Sequence, residues 1–290
     1  MHPLAVTLVL ISAAIHAWRE MMMKKSHDKQ IFIWLICTTA VVIFFPMFVY
    51  EVWQGHLTQT AVVLSMGGAI THSIYWYFMS RSYEKGDLSH VYPIMRSAPA
   101  LVFIIAVLFL HERVTTLATL GVVTIVAGIY AINMKSVTFR GFLEPLQSFG
   151  ERSTRFALLT MLMVTAYSIQ DKIMMQHVSP LLYSYFTVVF PTLYWTPFVL
   201  KTKSKAAITA EWNKSPFDII LTAIIAMVSY SLILYALTFE RVSYVSGLRQ
   251  IGIVFGVLLG GHLLKERHKW IRLTGSGLIF AGTILIATAP

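Results

Sequence analysis

The sequence predicts an all-α integral membrane protein with ten transmembrane helices in two inverted five-helix repeats. Three observations lead there. Of 290 residues, 57% are hydrophobic and only 12% charged, and mean hydropathy is +0.69, leaving too little polar surface to coat a soluble globule of this size. Residues 89–134 match residues 243–288 without a gap, at Ser89/Ser243, Val91/Val245, Leu110/Leu264, Glu112/Glu266, Arg113/Arg267, Gly121/Gly275, Gly128/Gly282 and elsewhere. Ten apolar runs divide into halves of five around a polar linker at 135–155, and because five is odd the second half must enter the membrane from the opposite side.

The boundaries follow from the chain in order. The first span runs from about Leu4 to Met23, with its charges after the apolar run and no small-residue cleavage site, so it is an anchor and not a signal peptide. A basic loop from Lys24 to Lys29 leads to the second span, about Ile31–Trp53, in which Pro46 is tolerable if neighbours satisfy the freed carbonyl. The third, about Ala61–Tyr83, carries Gly67-Gly68 and a run from Thr71 to Tyr77 that is too polar to face lipid. Spans four (Ser89–Leu110) and five (about Thr116–Met134) form the first copy of the repeated hairpin, whose glycines spaced by seven admit a close neighbour. Residues 1–134 are thus one repeat and 156–290 the other, with spans six (Phe156–Gln176), seven (Leu181–Leu200) and eight (Pro216–Phe239) preceding the second hairpin. The stretch Lys201–Lys214 reads as a basic loop. The first helices of the halves correspond more weakly, with Arg19-Glu20 lying over Asp171-Lys172.

The formal charge of +10 does not indicate nucleic acid, because the basic residues sit in short loops and not on one face of a soluble domain. Loops 24–30, 81–88, 135–155, 201–214 and 265–272 hold most of the Lys and Arg, while the opposite turns hold only Arg113 and Arg241. By the positive-inside rule the basic loops are cytoplasmic and both termini are outside, in a bacterial-type inner membrane. Cys37, the single cysteine, offers neither a disulfide nor a metal cluster, and no cofactor is expected. Zinc-binding, nucleophile-elbow and phosphate-loop motifs are missing, and an intramembrane enzyme using His16 or His72 as base and Asp171 or Glu20 as acid would lack a nucleophile.

Function is therefore sought among the embedded polar groups. A charge near the centre of a membrane helix costs roughly 2.5–3.5 kcal/mol on insertion scales, so it faces a partner or a water-filled cavity. Arg19, Arg96, Lys172 and Arg249 are the embedded cations, and Glu20 and Asp171 the clearly embedded acids. Arg19 and Lys172 lie near helix ends, where snorkelling is the competing explanation; for Glu20 and Asp171 it is a structural salt bridge. His16, Glu20 and Asp171 are the candidates for proton coupling, since a histidine at such a depth can titrate near neutral pH. Trp18, Tyr75, Trp76, Tyr92, Tyr167 and Tyr235 would line a pocket if their spans converge, although each alone suits packing or an interfacial belt. Arg96 and Arg249 each lie about 10 Å into their helices and approach the middle from opposite faces, followed by Pro99 and Gly252, which loosen the local backbone. Their guanidinium forks suit carboxylate, phosphate or phosphonate, with Tyr92 and Gln250 adding hydrogen bonds, unless each Arg pairs internally with Asp171 or Glu20.

These residues carry a family resemblance. The chain resembles, over essentially its whole length, a ten-helix member of the EamA family in the drug/metabolite transporter superfamily. The most specific pieces are Val91-Tyr92-Pro93-Ile94 leading to Leu110-His111-Glu112-Arg113, and Ser243-Tyr244-Val245 leading to Leu264-Lys265-Glu266-Arg267. His16-Ala17-x-Arg19 with Lys24, and Tyr167-Ser168-Ile169-Gln170-Asp171-Lys172, are also similar. The resemblance implies secondary transport, often export or exchange, of a small metabolite through a cavity framed by both halves. A subgroup with similar first and sixth helices is associated with phosphonate utilisation, although Ala17-Trp18-Arg19 departs from the neutral polar residue more usual there. The expected substrate is a small organic anion or zwitterion such as an amino acid or phosphonate, with a cationic or neutral metabolite or drug as the alternative. The expected binding set is His16, Trp18, Glu20, His72, Tyr75, Trp76, Tyr92, Arg96, Tyr167, Gln170, Asp171, Lys172, Tyr235, Arg249 and Gln250, and the expected partners are the substrate and the lipid bilayer, with a proton as coupling ion.

Overall fold

The computed structural model of the protein describes residues 1–85, 94–132, 134, 152–255 and 269–290; at 17, 20, 21, 23–25, 83–85 and 269–272 it describes the backbone alone. Among these residues the chain is helical, without strands. Helix α1 spans Pro3–Lys25, and α2 spans Lys29–Ile43, its first turn capped by Asp28, which accepts from the amides of Gln30 (3.0 Å) and Ile31 (3.2 Å). Phe44 then breaks the run. Helix α3, Phe45–Trp53, sets off at 49° to α2 with Pro46 in its first turn, where the missing N–H would have no intrahelical partner anyway. The sequence placed Pro46 inside one continuous span; it lies instead just after a bend.

Helices α4 (Gln59–Lys85), α5 (Ala98–Phe109) and α6 (Thr116–Ile132) complete the first half. The second half holds α7 (Arg152–Met174), α8 (Pro180–Thr202), α9 (Lys205–Lys214), α10 (Pro216–Phe239), α11 (Val242–Leu248) and α12 (Lys269–Thr288). Helix α9 corrects the sequence reading of 201–214 as a loop. Ser204 caps it by accepting from the Ala207 amide at 3.1 Å, and its alanines are strong helix formers.

By length and apolarity alone, among the described residues, Pro216–Phe239 qualifies as a membrane span and the bent α2–α3 pair qualifies jointly. Pro3–His16, Ile94–Phe109, Thr116–Ile132 and Leu273–Thr288 are apolar but shorter. Helices α4 and α7 fall below the apolarity of a simple span because they carry embedded polar groups, His72 and Asp171 among them. The linker at 135–151 and the second Glu-Arg turn, Glu266-Arg267, lie outside the described residues.

The halves interlock helix by helix. Helix α6 packs on α12, α4 on α7, α1 on α10, α2 on α8 and α5 on α11. The α6–α12 contact is antiparallel and built on the repeated glycines. A Cβ at Gly128 would meet the Gly275 carbonyl oxygen at 2.7 Å, and one at Gly282 would meet the Gly121 oxygen at 2.6 Å, so only hydrogen fits. Ser12 and Ser229 likewise tie α1 to α10, each hydroxyl donating to the other's carbonyl, at 2.7 and 3.1 Å.

Both termini lie at one end, where the Met1 ammonium donates to the Ala289 carbonyl. The Glu112 carboxylate caps α11 there, accepting from the amides of Val242 (2.7 Å) and Ser243 (3.2 Å) and from the Ser243 hydroxyl (2.5 Å). The repeated Glu-Arg turn of the first half thus holds the start of a helix in the second. At the opposite end Lys203 pairs with Asp28 at 2.5 Å. Partial burial pushes the Asp28 carboxyl up, but the Lys203 ammonium and the capping amides outweigh it and hold it below the usual value.

Candidate functional site

Between the halves lie two cavities that share a wall. The first encloses about 770 Å³ of space between side chains, its solvent-open part included, and the second about 840 Å³. His16, Tyr75, Tyr167 and Arg249 line both. The first cavity adds Arg96, Asp171, Gln250 and Ser246; the second adds Arg19, His72, Trp76 and Tyr230.

The backbone breaks where the cations enter. Helix α11 stops at Leu248, Arg249 and Gln250 form a turn, and the chain is helical again over 251–255. Three-residue hydrogen bonds from Gln250 to Gly247 (3.0 Å), Gly252 to Arg249 (3.2 Å) and Ile253 to Gln250 (2.9 Å) hold the tightened turn, and a Cβ at Gly252 would approach the Ala13 carbonyl oxygen of α1 at 3.2 Å. Ser97 makes a similar turn after the helical residues 94–96, with Pro99 in the first turn of α5. Arg96 and Arg249 both reach the first cavity from these interruptions.

Arg249 has no side-chain hydrogen bond or ion pair among the described residues. Gln250 is 6% exposed and donates its amide nitrogen to the Ser246 carbonyl at 3.2 Å. Because a carbonyl only accepts, this bond orients the amide and leaves Oε1 a buried acceptor without a partner among the described residues. Across the shared wall, Arg19 donates to His16 Nε2 at 3.3 Å and lies 5.3 Å from the centre of the Trp76 ring. A guanidinium only donates, so Nε2 of His16 is bare and its ring proton sits on Nδ1.

Asp171, 2% exposed, accepts from the Tyr183 hydroxyl at 3.0 Å and the Tyr230 hydroxyl at 2.8 Å. His72 Nε2 lies 3.5 Å from Asp171 Oδ1 and 3.0 Å from the Tyr230 oxygen. Tyr167 stacks on the His72 ring at 4.5 Å, and Tyr75 packs its edge against Tyr167 at 5.3 Å. Gly68 makes room for this network: a Cβ there would collide with the Tyr183 hydroxyl.

Ten of the residues selected from the sequence line these cavities: His16, His72, Tyr75, Trp76, Arg96, Tyr167, Asp171, Arg249 and Gln250, with Arg19 from the embedded cations. Others lie elsewhere. Trp18 and Tyr235 are 39% and 46% exposed and line neither cavity, as expected of amphipathic rings at a lipid-facing surface. Lys172 donates to the carbonyls of Leu237 and Glu240, both at 2.7 Å, satisfying the C-terminal carbonyls of α10, so it neither snorkels nor faces the cavities. Gln170 lines neither cavity and approaches Gly67. Tyr92 and the side chain of Glu20 lie outside the described residues.

Tyr183 and Tyr230 are not among the residues selected from the sequence. The signal that finds them is chemical: a phenol inside an apolar span needs an acceptor, and Asp171 is one of few available.

The sequence model of the EamA-like transporter family matches residues 3–134 and 154–288. A protein of solved crystal structure shares the fold with a TM-score of 0.70 and 12% identity, covering 97% of this chain and 96% of its own. A search of curated proteins finds no match.

Proposed function

We propose, from the premise that this chain belongs to the EamA-like transporter family, that it is a secondary transporter moving a small organic anion or zwitterion through the paired cavities. The observation that carries the substrate class is Arg249, a guanidinium in the shared wall with no side-chain partner among the described residues. A cation at membrane depth is stabilised by a counter-charge or water, and a planar fork is matched by carboxylate, phosphate or phosphonate. The unpaired Oε1 of Gln250 in the same cavity suits the ammonium end of a zwitterion. A cationic substrate is disfavoured because Asp171, the carboxylate lining the first cavity, already accepts from two tyrosines.

Transport proceeds by alternating access between ten spans in two inverted halves, a reading supported by the antiparallel glycine crossing of α6 and α12 and by the reciprocal pairing of α1 with α10 and α4 with α7. Both termini face away from the cytoplasm. A C-terminal reporter active only outside the cytoplasm should give signal; fluorescence of a cytoplasm-only reporter at that site would reverse this orientation.

The substrate class is tested by melting the purified full-length protein in detergent with millimolar amino acids, methylphosphonate, inorganic phosphate and tetraethylammonium. Ligand at about 100 times Kd stabilises by roughly 2.7 kcal/mol. Anionic or zwitterionic solutes should raise the melting temperature and tetraethylammonium should not; stabilisation by tetraethylammonium alone contradicts the assignment.

A further inference from the structure

The two cavities are joined by more than a common wall. Asp171 lines the first, His72 and Tyr230 line the second, and the Tyr230 hydroxyl stands between the imidazole and the carboxylate, 3.0 Å from His72 Nε2 and 2.8 Å from Asp171 Oδ2. All three groups come from different helices, α4, α7 and α10, so helix movement changes their spacing. We propose that His72, Tyr230 and Asp171 form the relay that carries the coupling proton from one cavity to the other. The inference rests on the transporter reading above and adds to it the site and path of the ion.

The step balances within the relay. With a proton taken up from the second cavity, His72 is an imidazolium and Asp171 a carboxylate. Nε2–H passes its proton to the Tyr230 oxygen as the Tyr230 O–H bond breaks and its proton joins Asp171 Oδ2. His72 is left neutral, Tyr230 is a phenol again and Asp171 is a carboxylic acid lining the first cavity. Loss of that proton to water or substrate in the first cavity completes one transfer; no redox partner is needed.

The surroundings suit this role. Tyr183 of α8 holds Asp171 from the other side, and Tyr167 of α7, stacked on His72, fixes the plane of the imidazole. Among the described residues, the other titratable or charged groups facing the relay are His16 and Arg19 of α1, Cys37 of α2, Tyr75 of α4, and Arg96 and Arg249 in the walls. His16 was also a candidate for the proton, but its Nε2 is engaged by Arg19. Among the described residues, three guanidiniums and one carboxylate line the cavities, so a proton loaded on His72 and an anion at Arg249 favour one another electrostatically.

The test is the imidazole titration of full-length protein labelled with ¹⁵N-histidine, the His72 signal being assigned by its loss in His72→Gln. The relay predicts that the His72 signal responds to pH in the parent, and that this response falls at a different pH in Asp171→Asn. The conservative Tyr230→Phe should also move it, which keeps the test open if Asp171→Asn folds poorly. A His72 that stays neutral throughout, or whose midpoint is the same in both variants, overturns the relay. In parallel, proteoliposomes with trapped pyranine receive a labelled amino-acid and methylphosphonate mixture. Solute entry with a lumenal pH change in the parent, and a pH change reduced at least tenfold per solute moved in Tyr230→Phe, supports coupling; solute entry with no pH change in the parent overturns it. No solute entry in the parent counts against the transporter reading and leaves the titration to judge the relay by itself.

Discussion

Gly128→Ala should lower the melting temperature of the purified protein clearly, whereas Gly277→Ala on the partner helix should leave it unchanged or raise it. A methyl at Gly128 would sit 2.7 Å from the Gly275 oxygen and 2.8 Å from the Ile279 nitrogen, both backbone atoms, so the α6 and α12 axes must separate. Overpacking of this kind costs typically about 1–3 kcal/mol. A methyl at Gly277 meets nothing within 4 Å and gains helix propensity, up to about 1 kcal/mol. Gly275→Ala opens the same crossing, where its Cβ would meet the Gly128 oxygen at 2.8 Å, so the double variant should lose less than the sum of the singles. Equal melting temperatures for Gly128→Ala and Gly277→Ala would show that the crossing is looser than its geometry.

Arg249→Gln should weaken binding of an anionic solute by roughly tenfold to somewhat over a hundredfold, which corresponds to losing charge-assisted hydrogen bonds worth about 1.5–3 kcal/mol. Arg249→Lys should fall between, since an ammonium keeps the charge and loses the planar fork. Neither change breaks a side-chain hydrogen bond or ion pair among the described residues, so thermal stability without solute should be nearly that of the parent. Calorimetric titration with the most stabilising solute gives the affinities. Unchanged affinity in Arg249→Gln would move the anion site to Arg96 or Arg19, which line the same cavities.

The helical architecture was legible because lipid imposes it: apolar runs, charged turns and repeated glycines each have one simple reading in a membrane. Gly121, Gly128, Gly275 and Gly282 pointed to a close crossing, though the sequence could not say that each meets the other copy's glycine. Glu112 was noticed as a repeated turn residue, while its role as cap for α11 depends on a contact across 130 positions. The bend at Phe44 escaped because Pro46 is compatible with either a continuous or an interrupted span.

At the site, charge was the strong signal. Arg96, Asp171 and Arg249 stood out since each is costly in lipid, and they line one cavity. Aromatic residues were ambiguous: Tyr75 and Tyr167 face the cavities while Trp18 and Tyr235 face outward, and a helical rotation of about 100° per residue decides between them. The partners of Lys172, the C-terminal carbonyls of a neighbouring helix, are invisible in a linear sequence.

The central claim, that Arg249 holds an anionic group of a solute carried across the membrane, is tested most directly by counterflow. Proteoliposomes are loaded with an unlabelled amino-acid and methylphosphonate mixture and diluted into the same solutes carrying label. The parent should accumulate label transiently, Arg249→Gln should do so at a tenth of the rate or less, and tetraethylammonium should neither be carried nor compete. Counterflow of tetraethylammonium, or undiminished counterflow of the anions in Arg249→Gln, would contradict the account.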